Sequence, residues 1–176
     1  MQIRKTTLPA SSILNITMQN CDYSDSFAGS FQDTENKITP EIVARAFFST
    51  APNWVQHLFA LRNALVKFLG LKTADDVTDR QAFLDNCKFE KGDQLGLFQV
   101  FDKNENEIIF GENDKHLDFR VSLFIQKNDT TNRTLIISTT VVFHNWLGRA
   151  YFMPVKPFHN LIVPIMLKAI LERINK

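Results

Sequence analysis

Cysteine is nearly absent from this chain of 176 residues, which carries only Cys21 and Cys87. Two thiols so far apart make neither a metal-ligand spacing nor a disulfide framework. Free thiols in a reducing compartment are expected, and with them a cytoplasmic location. Net charge is equally scant, at +1 from twenty Lys and Arg against nineteen Asp and Glu. The basic residues are scattered, with no run that would track a phosphate backbone, which argues against nucleic acid as a partner. Long apolar runs are missing too. The longest lie near residues 134–142 and 161–167, well short of the roughly 20 residues a membrane helix requires, so no membrane span is expected. Arg4 and Lys5 have no hydrophobic segment behind them, and no secretion signal is expected. Tyr and Trp number two each.

Phenylalanine is what the chain has instead, sixteen of them. Phe has no polar tip to satisfy, so this excess either packs a large core or lines an apolar cavity. The length suits one domain over residues 1–176.

Residues 112–125 alternate strictly. Asp114, His116, Asp118, Arg120 and Ser122 fall on one side, and Leu117, Phe119, Val121, Leu123 and Ile125 on the other. Side chains of a strand point to opposite faces with period two, so this reads as a half-buried central strand with one oily and one polar face. Before it, residues 1–20 read as an irregular N-terminal lead-in. Residues 22–27 form a first strand broken by Gly29. Thr39 can cap a helix whose first position suits Pro40, with Ile42, Val43, Ala46 and Phe47 as its buried stripe. A second helix is expected from Asn53 to Leu69, with Trp54 in its apolar stripe and Arg62 among it, and a third over residues 78–87. The period then changes to two. Strands are expected at 93–101, 107–111, 112–125, 133–144 and 149–155, with turns at 102–106, 127–132 and 145–148. Pro157 opens a last helix running to about Arg173, apolar almost all round and kinked by Pro164. This order makes an α+β domain in which an antiparallel sheet wraps around the long C-terminal helix.

The same order resembles the START-type helix-grip fold, the superfamily of polyketide cyclases and lipid-transfer domains. Four phrases are more specific: Asp22-Tyr23-Ser24-Asp25-Ser26-Phe27, the run from Leu61 to Leu71, the run from Gly111 to Arg120, and Gly148-Arg149-Ala150-Tyr151-Phe152 through Pro157-Phe158-His159. Together they are similar to a bacterial family known only as a domain of unknown function, number twenty-eight sixty-seven. The superfamily resemblance implies a cavity between sheet and final helix for a small hydrophobic or amphipathic ligand. Trp54, Arg62, Phe119, Tyr151, Phe158 and Met166 are the expected lining. No cofactor is implied, and the oligomeric state is open.

A hairpin about residue 130 puts His144 opposite His116 and Val142 opposite Asp118. His116, Asp118 and His144 are then the candidate catalytic set, a histidine held by a carboxylate being the usual general base. Two histidines and a carboxylate are also a zinc or iron ligand set, although no metal site is expected here. The plain alternative is a hydrogen-bonded ladder on the wet side of a sheet. Three functions stay open: a binding module for a small apolar molecule, a cyclase, lyase or hydrolase-type enzyme, and a structural or interaction domain with a filled core.

Overall fold

The computed structural model describes residues 2–50, 87–96 and 98–175. The helices expected at 53–69 and 78–87, with Trp54 and Arg62, lie outside the described residues apart from Cys87, which is not helical. The strands are β1 (Ile3–Thr6), β2 (Tyr23–Gln32), β3 (Gln94–Leu95), β4 (Phe98–Lys103), β5 (Glu107–Asn113), β6 (Leu117–Lys127) and β7 (Asn132–Phe143). The helices are α1 (Leu14–Thr17), α2 (Pro40–Ser49) and α3 (Trp146–Ile174). Among the described residues these seven strands join one antiparallel sheet in the order β1-β2-β7-β6-β5-β4-β3. α3 packs on β1, β2 and β7, while α2 packs on β5, β6 and α3. The result is the expected α+β helix-grip arrangement, with the long C-terminal helix held against the sheet. Among the described residues no helix is long and apolar enough to cross a membrane.

The β6–β7 register falls where the alternation puts it, with Asp118 opposite Val142, Arg120 opposite Thr140 and Ser122 opposite Ser138. The connecting turn is pinned by Asp129, whose carboxylate accepts from the backbone N–H groups of Thr131 and Asn132 and from the Asn132 amide. Those donors, the Asn132 backbone first, hold the Asp129 carboxyl down at about 2.

Four expectations are corrected. First, residues 112–125 are not one strand. β5 continues to Asn113, and Asp114, Lys115 and His116 turn the chain into β6. Second, the strand expected at 93–101 is a hairpin. Leu95 pairs with Phe98, and Gly96 has φ of +62°, a left-handed conformation that glycine adopts without a steric penalty. Third, residues 149–155 are helical. Asn145 caps α3 by accepting from the Gly148 N–H at 3.2 Å, so the helix starts eleven residues before Pro157. Pro154, Pro157 and Pro164 remain inside it. Each lacks an N–H, which deprives the carbonyls of Ala150, Met153 and Asn160 of their helical donors. Fourth, β2 runs unbroken through Gly29. A Cβ there would lie 2.5 Å from Leu171 Cδ1 of α3 and 2.8 Å from Ile3 Cδ1 of β1, so the glycine leaves room for both side chains over the strand.

The inner face carries the main core: Phe27 and Phe31 of β2, Val121, Leu123 and Ile125 of β6, Leu135 and Ile137 of β7, and Val163, Met166, Leu167, Ile170 and Leu171 of α3. The phenylalanine excess is spent partly here. Phe47, Phe48, Phe98, Phe110 and Phe119 form a run of edge-to-face rings linking α2 to β4, β5 and β6, with centroids 5.0–6.4 Å apart. Such pairs are worth about 0.5–1.5 kcal/mol each beyond their buried area.

The middle of the outer face is not wet. Ser26, Ser122, Ser138 and Thr140 are all buried. The N-terminal lead-in covers part of this face and is itself structured, as β1 and α1. Its anchor is Glu107, a fully buried carboxylate that accepts from Ser12 Oγ at 2.5 Å, from the Ile13 N–H at 2.7 Å and from Ser122 Oγ. A carboxylate out of water needs such donors, and here the lead-in supplies two of the three.

Candidate functional site

β2 points Tyr23, Asp25 and Phe27 inward, since these residues share a ladder face with Val141, Thr139 and Ile137 of β7. An aspartate in that apolar layer is out of place by composition, and its side chain is only 1% exposed. It is held from two sides. Tyr23 donates its hydroxyl to Asp25 Oδ2 at 2.6 Å, and His159 Nε2 lies 3.2 Å from Oδ1. His159 reaches the sheet because it falls on the buried stripe of α3, one turn after Val155 and one before Val163, at the spacing that keeps side chains on one helix face.

The surroundings are mixed. The Tyr23 ring packs on Phe152 with centroids 4.8 Å apart and meets the His159 ring edge-on at 6.3 Å. Lys156 Nζ sits 5.3 Å from the centre of the Tyr23 ring. The Tyr23 hydroxyl also lies 3.1 Å from Asn160 Oδ1. Burial, then the hydrogen bond to Asp25 and its negative charge, push the Tyr23 phenol well above its ordinary range. On the same rung as Asp25, the Thr139 hydroxyl is buried with no hydrogen-bond partner. An orphaned buried hydroxyl beside a buried carboxylate leaves hydrogen-bonding capacity unspent.

The arrangement has an acid-base logic. With Nε2–H donated to Asp25, the imidazole is fixed as the tautomer whose Nδ1 is basic. That Nδ1 has no hydrogen-bond partner among the described residues.

The expected catalytic set is only partly assembled. His144 Nε2 and Asp118 Oδ1 meet at 3.0 Å on the outer face, both partly exposed. His116 is joined to His144 through the backbone, its carbonyl accepting from the His144 N–H at 2.9 Å. Its ring turns instead to the side chain of Asn145, 3.2 Å from Oδ1. Of the expected lining, Phe119 belongs to the aromatic run and Met166 to the main core. Tyr151 packs beside Phe152, and Phe158 is half exposed on the opposite side of α3. These four do not converge on one point. Asp25 and His159 carry the inner polar site, away from the polar residues of the 112–125 alternation. Their signal was available: Asp25 shares the parity of Phe27 and Phe31, and His159 the periodicity of Val155 and Val163.

Two other observations concern the described residues. A shallow groove of about 350 Å³ lies between α2 and the end of α3, lined by Ile38, Ile42, Arg45, Ala46, Arg173 and Ile174. No three His, Cys, Asp or Glu side chains are grouped to hold a metal ion.

No curated protein and no solved structure matches this chain. A family model does match, over residues 17–166, a span that includes β2, the whole meander and α3 as far as Met166. Tyr23, Asp25, Thr139 and His159 all fall within it. On that match the chain belongs to the family described as Protein of unknown function (DUF2867).

Proposed function

We propose that the protein binds a small amphipathic molecule between the sheet and α3, with the polar end of the ligand read by Tyr23, Asp25, His159 and Thr139. The observation that carries this reading is Asp25, a carboxylate 1% exposed in an otherwise apolar layer. Burying a charge is costly unless it is paired and hydrogen-bonded, and cores gain nothing in stability from such groups that apolar residues would not supply. Beside Asp25, burial and the Asp25 carboxylate raise the Tyr23 phenol, and a perturbed titratable group next to a specific charged partner marks a candidate functional site. The START-type helix-grip analogy supports the same location, as analogy only. Phe119 and Met166 supply apolar wall in this reading, and the chain acts as one domain.

Native mass spectrometry of freshly purified protein tests it. A small-molecule adduct is expected on the wild type. Asp25→Asn and His159→Ala should each weaken retention of that molecule by about tenfold or more, the usual cost of losing a hydrogen bond to a charged group. A wild type without adduct that also fails to bind an apolar dye, or an adduct indifferent to both substitutions, would sink the proposal.

A second reading is favoured by one observation, the unpartnered Nδ1 of His159. Here His159 is the general base of a cyclase, lyase or hydrolase-type enzyme, oriented by Asp25. The two readings separate cleanly. An enzyme loses turnover of the captured molecule in His159→Gln while still binding it, whereas a binding module turns nothing over in either form.

A further inference from the structure

Arg45 has more hydrogen-bonding capacity than its surroundings use. Its Nη2 donates to the Cys87 carbonyl at 2.6 Å, and its guanidinium lies 5.2 Å from the centre of the Phe89 ring. Nη1 is out of water and has no hydrogen-bond partner. No carboxylate among the described residues forms an ion pair with Arg45. A guanidinium cannot shed its proton, so it needs an acceptor wherever water is withdrawn.

The fold shows from which side that acceptor comes. α2 sets Ile42, Arg45 and Ala46 on one face, at the three- and four-residue spacing of a helix, and Ile38 precedes them by four. Arg173 and Ile174 face them from the last turn of α3, and these six residues line the groove of about 350 Å³. That volume is near the lower end of the range that small-molecule sites occupy. Arg173 is exposed and, like Arg45, has no ion-pair partner among the described residues. The acids beside them in sequence are engaged elsewhere: Glu41 with Lys103 at 3.4 Å and Glu172 with Lys168 at 3.8 Å. Two uncompensated positive charges therefore stand at one groove, against roughly half a negative charge at the end of α3. The other four lining residues are apolar.

We propose that this groove binds a small amphipathic anion, its carboxylate or phosphate held by Arg45 and Arg173 and its short alkyl or aryl body resting on Ile38, Ile42, Ala46 and Ile174. Oxyanions present paired acceptors to the planar donor fork of a guanidinium. Arg45 is already held by Cys87 and Phe89, so little side-chain freedom is lost when the anion takes its Nη1 edge. A neutral molecule would leave both charges uncompensated. A protein partner would need a contact of roughly 1,000 Å² or more, which a groove of this size does not offer. The site shares no residue with the set around Asp25 and stands independently of it.

Isothermal titration calorimetry of the full chain tests this with four probes: octanoate, octyl phosphate, octanol and inorganic phosphate. One or both of the first two should bind saturably, the tighter of them naming the oxyanion. Octanol and inorganic phosphate, each lacking half of the chemistry, should bind about tenfold more weakly or worse. Arg173→Gln should weaken the amphipathic anion about tenfold, the cost of a hydrogen bond to a charged group, and Ile42→Gln severalfold. Arg173 is exposed and Ile42 is 39% exposed, so unchanged melting temperatures are expected. Arg45→Lys keeps the charge but loses the fork, and should weaken the anion while leaving octanol unaffected. Lys168→Gln removes a positive charge from α3 outside the groove and should change nothing. Four results would overturn the proposal: neither amphipathic anion binds, octanol binds as tightly as octanoate, binding is indifferent to both Arg173→Gln and Ile42→Gln, or light scattering shows a dimer that Arg173→Gln dissociates.

Discussion

Asp25 and Tyr23 share a proton-rich contact whose consequences are measurable. The folded protein raises the Tyr23 phenol above its ordinary value, through burial first and Asp25 second. A raised acid keeps its proton in the folded state after the unfolded chain has lost it. The stabilisation is therefore complete below the unfolded value of about 10 and is lost as pH climbs beyond it toward the folded value. Denaturation at a series of alkaline pH values should show stability falling from that point, and Tyr23→Phe should flatten the decline. An unchanged slope in the variant would assign the decline to other groups. At this scale the sequence was half legible. The His144–Asp118 contact is readable because Asp118 lies on β6 opposite Val142 of β7, and His144 follows one residue after the end of β7 with the same parity as Val142. His116 was misplaced because it lies in the turn that divides β5 from β6, where period-two alternation no longer fixes direction. Asp25 is hard to read from sequence for a physical reason as well. A single aspartate in a serine-rich strand looks solvated until the opposite helix is known to place His159 over it.

The elements divide by how strongly local sequence dictates them. α2 begins where its cap demands, with Thr39 Oγ1 accepting from the Ile42 N–H at 3.5 Å. β6 and β7 follow their alternation and their Asp129 turn. α3 does not, because Pro154 and Pro157 disguise its first half as something else. Proline disfavours helix by about 3 kcal/mol in an interior position, so a reading by local preference starts the helix late. Packing of Phe152 against Leu117 and Val141 outweighs that preference. Gly148 shows how closely the helix start is seated. A Cβ at this position would run into the carbonyl oxygen of His116 and lie 2.9 Å from its carbonyl carbon. Helix propensity alone favours alanine over glycine by about 1 kcal/mol. The steric term opposes it and is larger, because the obstacle is backbone. Gly148→Ala should therefore destabilise by about 2–4 kcal/mol in urea denaturation. A more stable variant would mean that α3 shifts freely over the β5–β6 turn.

At the scale of the whole molecule, the sheet is closed on both sides by different means: helices on the inner face, the N-terminal lead-in on part of the outer one. Glu107 ties that lead-in to the middle of the sheet. Glu107→Gln keeps the shape but removes the charge that Ser12, Ser122 and the Ile13 N–H answer, at a cost of about 1–3 kcal/mol. Hydrogen exchange at Leu14 and its neighbours should quicken while the β6–β7 amides keep their protection; uniform quickening would show that the lead-in and sheet open as one unit. The strand order has a further consequence, for the growing polypeptide. β4 to β7 are successive hairpins and can zip together as they are made. β2 is synthesised early but pairs only with β1 and with β7, the latter across a separation of 112 residues at the Ser26–Ser138 contact. At roughly 5–20 residues per second, translation of that interval takes about 6–22 s. Throughout it, the inward row of Tyr23, Phe27 and Phe31 has no β7 to meet, and the newborn chain carries a ten-residue strand open to any wrong partner until its own arrives.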